Sequence, residues 1–336
     1  MGPGKGLLMA RLVAAYGSSH SIMLTSELED WISGFPERDR ALPLYDRAGN
    51  RQSYDDHLKL APANACELIA PAAITRRFND TQAAMDRLRD DIAAAKLDAL
   101  VIVGDDQHEL FHDEHMPAIA IYYGNTIRNA PQSAVPNGDW YQRARRRRLE
   151  EGGDVHYPCH GALALHLIDG LVARGFDVSA AKNLKDGQYE GHAYSFVHRR
   201  YLNGNRLPVV PVFLNTYNWP NQPRPPRCVE LGRALGALVA TFPQDMRVGM
   251  IASGGLSHFM VEEDLDQAVI DAVRRKDFGF LAGLDPKRLQ AGSSEIRNWL
   301  VVAAAAERLG LDWVSYIPGY RSPALTGIGL CFAVWS

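Results

Sequence analysis

What this chain lacks narrows it before any motif is read. Its 336 residues include 4 cysteines, Cys66, Cys159, Cys228 and Cys331, and none has C-x-x-C spacing. That argues against a disulfide framework or a thiolate zinc site and points to a reducing cytoplasm. No apolar run approaches the roughly 18 residues a membrane span needs. The opening Met1–Met9 has neither the hydrophobic core nor the small-residue cleavage site of a signal peptide. Residues 1–8 read instead as an extended start or an expression remnant, with Met9 as the true beginning. An excess of one charge is also missing. Lys+Arg total 36 against Asp+Glu 39, a net charge of −3, so no nucleic-acid or membrane partner is expected.

What is present belongs to a soluble globular protein. The length allows one large or two modest domains, and a chain this size buries roughly three quarters of its unfolded surface without staples. Short β-rich runs alternate with longer helical ones, which predicts an α/β layered fold. Strands are expected at Ala10–Tyr16, Ala99–Val103, Ala118–Tyr123, Val209–Leu214 and Val248–Ser253, with an extended tail over Trp313–Ser336. Helices are expected at Asp80–Lys96, Ala162–Arg174, Val229–Phe242, Asp264–Arg275 and Glu295–Leu309. Phe35–Pro71 reads as a long excursion, and Asn215–Arg227, with four prolines, as a stiff crossing. Arg143 and Arg145–Arg148 form a basic run, read as a solvated helix face. The absence of an internal repeat or a clear linker favours a single domain over 9–336.

The chemistry gathers at loops that follow predicted strands. Three share one context: Tyr16-Gly17-Ser18-Ser19-His20, Val103-Gly104-Asp105-Asp106-Gln107-His108, and Ser253-Gly254-Gly255-Leu256-Ser257-His258. In open α/β sheets, ligands bind beyond the carboxyl ends of strands, so these histidines can converge. Each alone reads equally as a hydrogen-bonded loop residue. Glu295, in Gly292-Ser293-Ser294-Glu295-Ile296-Arg297-Asn298-Trp299, is a carboxylate at the mouth of an apolar helix. Its position also suits the helix dipole without any ligand.

In this order and spacing, the four segments resemble the class III extradiol ring-cleaving dioxygenases, in particular the protocatechuate 4,5-dioxygenase catalytic subunit and the gallate and 3-O-methylgallate dioxygenases. The resemblance runs from Met9 to Val334. It implies a central mixed sheet flanked by helices, with the active site at the strand carboxyl ends. It implies one Fe(II) held by His20, His108 and Glu295, with His258 as the acid/base residue. His192, in Glu190-Gly191-His192-Ala193-Tyr194, stands where relatives carry an Asp-His-Gly sequence and is a second catalytic candidate, although its neighbours differ. His166 reads as a packing residue. His57, His112, His115, His156, His160 and His198 carry no local signal. The implied reaction opens a catechol-type ring with O2. A homo-oligomer is expected, and a small accessory subunit stays open. A zinc-dependent hydrolase and a catalytically silent binding protein of the same fold are the competing readings. For a carboxylate on the substrate, Tyr217, Trp219, Arg224 and Arg227 are the residues on offer, with Phe35–Pro71 as a cap.

Overall fold

Successive side chains of buried strands, pointing to opposite sides, build a core on both faces of one sheet. In the computed structural model, which describes residues 9–132 and 138–336, nine strands join in that sheet. They are β1 (Arg11–Ser18), β2 (Ala99–Gly104), β3 (Ile119–Tyr122), β4 (Ser179–Ala181), β5 (Val209–Leu214), β6 (Arg247–Ser253), β7 (His258–Met260), β8 (Leu311–Tyr320) and β9 (Thr326–Trp335). The order is β4-β3-β5-β2-β6-β1-β9-β7, with β8 also paired to β9. Strands β5, β2, β6 and β1 run parallel, and β3 and β9 flank them antiparallel. The expected α/β class with a mixed sheet is what the chain adopts. The first eight residues lie outside the described part.

Strands buried on both faces read as continuous apolar runs, and β2 and β5 are buried throughout. Successive side chains nevertheless divide between the two faces. Ala99, Val101 and Val103 enter one core and Leu100 and Ile102 the other. Pro211 is tolerated inside β5 because β3 pairs only with Val212–Leu214, so the missing N–H breaks no bond on that side.

Helices cover both faces: α1 (Pro71–Ala94), α2 (Trp140–Leu149), α3 (Gly161–Val172), α4 (His192–Val197), α5 (Pro225–Val239), α6 (Glu263–Arg275) and α7 (Ile296–Ala305). Helix α1 starts with proline at a position where its missing N–H costs nothing. It buries Ile74, Thr81, Ala84, Met85, Leu88 and Ile92, a stripe at helical spacing that packs on β8 and β9. Truncating the fully buried Leu88 to alanine should cost about 2–5 kcal/mol. Helix α7 is buried all round. It packs against α5 and the strands β1, β2 and β6.

The register fixes where the chemistry appears. Ser18 pairs with Ser253, and Ala252 with Val103, so three parallel strands end level with one another. The residues just beyond them, His20, Asp105 and the Gly254-Gly255 turn, are delivered to one place. The Phe35–Pro71 excursion contains the short helices Phe35–Asp39, Tyr54–Lys59 and Ala65–Leu68 and a two-stranded hairpin.

Candidate active site

Beyond the level strand ends lies a buried group of imidazoles and carboxylates. His20 follows β1, Asp105 follows β2, His192 opens α4, and Glu295 closes the 3-10 turn that leads into α7. Nε2 of His20 and Nε2 of His192 stand 3.1 Å apart. Glu295 Oε2 is 3.5 Å from His20 Nε2, and Asp105 oxygens lie 3.8 Å and 3.7 Å from the two ring nitrogens. Among the described residues, His20, Asp105 and His192 form the group of three able to share a metal ion. His258 Nε2 sits on the other side of the Glu295 carboxylate, 3.5 Å from Oε2.

The hydrogen bonds fix the ring tautomers. Ser253 Oγ donates its one proton to the Ala193 carbonyl at 2.7 Å, so it can only accept from Nδ1 of His20, 3.0 Å away. Nδ1 of His192 faces Glu109 Oε2 at 2.7 Å and must carry its proton there. Both Nε2 atoms of the neutral rings therefore present lone pairs to each other. Such a contact repels unless a positive charge lies between, either a proton on one ring or a metal ion in its place. Two imidazoles beside carboxylates are a donor set that iron, zinc and similar ions accept. The residues fit a metal, and the outer partners Ser253 and Glu109 are the kind that orient histidine ligands.

The charges follow the same logic. Burial favours a neutral His192, but Glu109 outweighs it and raises the ring's pKa above the ordinary histidine value. Burial would push the Glu109 carboxyl up, yet the charge and hydrogen bond of His192 bring it down to about 2. Glu109 also accepts the His192 backbone N–H at 3.0 Å. Gly191 leaves the room this needs, since a Cβ there would meet Glu109 Oε2 at 2.6 Å. Burial opposes ionisation of Glu295, but the His258 and His20 rings and the Gly255 N–H hold its pKa well below the carboxylate range. The Gly255 N–H donates at 2.7 Å and the Tyr217 hydroxyl at 3.2 Å. Asp105 shifts the other way, raised by burial and by the Glu295 charge. Burial lowers the pKa of His258, and the Glu295 charge offsets only part of that. Its Nδ1 donates to the Leu256 carbonyl at 2.9 Å, leaving Nε2 as a free base. Gly292 lets the loop pass close, because a Cβ there would lie 2.3 Å from His258 Cβ.

A cavity of about 130 Å3 opens on this group. A cavity of roughly 150 Å3 holds a benzene molecule, so the space is on the scale of one small ring and not of a larger ligand. His20, Glu295, His258 and Tyr217 line it, together with Gln107, Arg148 and Arg321. Phe35, Asp39 and Leu42 from the long excursion close another side.

His20, Glu295, His258 and His192 thus meet, and His108 does not join them. His108 takes a left-handed backbone (φ 61°), its ring is 45% exposed, and its Nε2 faces Asp113 at 3.4 Å. Of the expected set of His20, His108 and Glu295, the structure brings His20 and Glu295 together and leaves His108 outside the group, because the turn that buries Asp105 and Asp106 turns Gln107 and His108 outward. His192 stands beside His20 instead. Within Asn215–Arg227, Tyr217 reaches the cavity. Trp219 is 86% exposed, and Arg227 lies over the Phe176 ring. His166 bonds Leu238 and Thr241 away from the site. Asp105, Glu109 and Arg148 were not expected in the site. Arg148 had a signal, being four residues after the buried Ala144 on one helix face.

A layered α/β fold with a buried imidazole–carboxylate group at its parallel strand ends belongs to the class of proteins built to hold a ligand or metal at that edge of the sheet. Within it, the chain belongs to the family described as the catalytic LigB subunit of aromatic ring-opening dioxygenase, whose model matches residues 75–323. It is 29% identical over 189 residues to a 2,3-dihydroxyphenylpropionate/2,3-dihydroxicinnamic acid 1,2-dioxygenase of Comamonas testosteroni, covering 53% of this chain and 50% of that one. It is 31% identical over 188 residues to a gallate dioxygenase of Pseudomonas putida, covering 50% and 51%. The chain therefore spans about half the length of the curated relatives it matches. Among solved structures, an uncharacterized protein of Escherichia coli K12 superposes with a TM-score of 0.42 at 14% identity, covering 74% of this chain and 91% of that one. No helix among the described residues is long and apolar enough to cross a membrane.

Proposed function

We propose that this protein is an extradiol-type dioxygenase that opens an aromatic ring beside two adjacent hydroxyls, with Fe(II) as its metal. The observation that carries the proposal is the pair of imidazole Nε2 atoms 3.1 Å apart in a buried site next to Glu295. His20, His192 and Glu295 would hold the ion, with Asp105 beside them. When bound, the ion supplies Lewis acidity toward the diol oxygens and a redox-active place for dioxygen.

The chain's own residues do the rest. Glu109 and Ser253 lock the two rings in the tautomer that presents Nε2. Tyr217 and the Gly255 N–H hold the Glu295 carboxylate in place and ionised. His258, neutral and anchored at Nδ1, takes a hydroxyl proton at Nε2 and returns it later in the cycle, as a general base and then acid. The single-ring cavity holds the substrate against these groups and removes much of the encounter entropy.

Anaerobic reconstitution with Fe(II) or Zn(II), followed by oxygen uptake with catechol, 3,4-dihydroxybenzoate, gallate and 3-O-methylgallate, tests this reading. Stoichiometric O2 consumption and a yellow ring-opened product are expected with the iron form of the protein. Metal binding without oxygen uptake on any of the four diols would overturn it.

A further inference from the structure

Close to His258, α6 buries a carboxylate that no step above uses. Asp266 stands in the first turn of that helix and is 0% exposed. An acid there suits the helix dipole without further reason, but the dipole does not account for where its oxygens go. Oδ1 accepts the Ser257 N–H at 2.8 Å, and Oδ2 accepts the Ser257 hydroxyl at 2.6 Å and the Tyr316 hydroxyl at 2.7 Å. Strand β9 leaves the room for this, since a Cβ on Gly329 would meet Oδ2 at 2.0 Å. The Gly329 carbonyl accepts the Leu256 N–H at 3.1 Å, and the Gly329 N–H donates to the Ser257 carbonyl at 2.9 Å. The turn before His258 is thus held by α6 and β9 together.

The Ser257 N–H and the Leu256 carbonyl belong to one peptide group, which is planar and rigid. Its carbonyl is the one that accepts Nδ1–H of His258 at 2.9 Å. We infer that Asp266 is the positioning residue of His258 and acts on it through this peptide group. Carboxylate, peptide and imidazole form one chain of hydrogen bonds, in which each bond polarises the next. Negative charge on the N–H side makes the carbonyl a stronger acceptor, which keeps the ring proton on Nδ1 and leaves Nε2 basic. Asp266 does for His258 through a peptide what Glu109 does for His192 by direct contact. Burial pushes the Asp266 carboxyl up to about 7, against the hydrogen bonds from Ser257 and Tyr316, so its charge is in place on the alkaline side of neutrality. The other ionisable groups facing the pair are Glu262, Tyr316 and Cys331 beside Asp266, and Glu295, His20 and Arg321 beside His258. The inference rests on the acid/base role proposed for His258, and its geometry can be tested without turnover.

The test compares wild type with Asp266→Asn, which keeps the size and an acceptor oxygen and loses the charge. At about pH 8, nitrogen NMR shifts of the His258 ring are recorded on the metal-free protein. On the iron-loaded protein, kcat, KM and metal content are measured with catechol and 3,4-dihydroxybenzoate. Wild type is expected to show a single tautomer, protonated at Nδ1, and a Ser257 amide proton far downfield. Asp266→Asn should turn the ring into a mixture of tautomers and lower kcat about 10-fold, the upper end of one ordinary hydrogen bond, with KM and metal content kept. An unchanged tautomer in Asp266→Asn, or a loss of kcat matched by a loss of metal, would reduce Asp266 to a helix-start acid and overturn the inference. If that variant does not fold, wild type still decides: a His258 ring protonated at Nε2, or an ordinary Ser257 amide shift, overturns it as well. The expected change of tautomer in a protein that consumes no oxygen with any diol would sink the ring-opening proposal and leave the relay to His258 standing.

Discussion

Two segments of this molecule hold similar side chains and treat them in opposite ways. Asp105–His115 carries three histidines, yet His108, His112 and His115 are all exposed, and the segment instead sends Asp105 and Glu109 inward. Glu190–Val197 carries one histidine and buries it at the start of α4. The difference lies in what each backbone can anchor. His192 has a helix N-terminus, a glycine before it and a carboxylate bound to both its ring and its main chain. His108 stands on a left-handed turn with only a fully exposed aspartate opposite. A histidine becomes a site residue where its second nitrogen has a buried partner, and motif position alone does not provide one.

The contrast can be broken by substitution, and the largest effect is expected at the imidazole pair. His192→Ala should lose most of the bound metal and all measurable turnover, while His108→Ala should keep both, as read by elemental analysis beside oxygen uptake. The opposite result would restore His108 as a ligand. His258→Ala should keep its metal and lose about 10²–10⁴-fold in turnover, the usual worth of an acid/base group; metal loss there would make it a ligand instead. Glu109→Gln removes the charge behind His192 and should weaken metal affinity by about 10–100-fold, as outer partners of ligands do. A metal titration in the presence of a competing chelator measures that. Tyr217→Phe deletes one hydrogen bond to Glu295 and should weaken metal binding by roughly 2–12-fold, the equivalent of a single bond of ordinary strength. No change in affinity would show that the Gly255 N–H alone suffices.

Most of the sheet was legible because its strands are buried on both faces and announce themselves as apolar runs. Val209–Leu214 has the bounds expected, and the other central strands differ by one or two residues. Helix α1 begins nine residues before the expected Asp80, since Pro71 starts it and polar residues fill its outer face. The site was half legible. His20, His258 and Glu295 follow strand ends or open a helix, where pattern reading has purchase. Which of His108 and His192 lies buried beside His20 turns on backbone handedness and on Glu109 reaching across 83 positions, which no spacing rule carries. Arg148 was hidden inside a basic run: Arg145 and Arg147 face outward as expected, while the last arginine of the run turns in with Ala144.

Strand β9 has a consequence for how the molecule is made. It pairs with β1, which leads to His20, and with β7, which starts at His258, so both ends of the cleft lean on residues synthesised long after His20. At about 5–20 residues per second, His20 leaves the ribosome on the order of tens of seconds before Trp335. During that interval the growing chain holds unpaired sheet edges and solvent-facing imidazoles in place of a closed pocket. Closure of the cleft therefore waits until β9 has been made, because neither β1 nor β7 has its antiparallel partner before then.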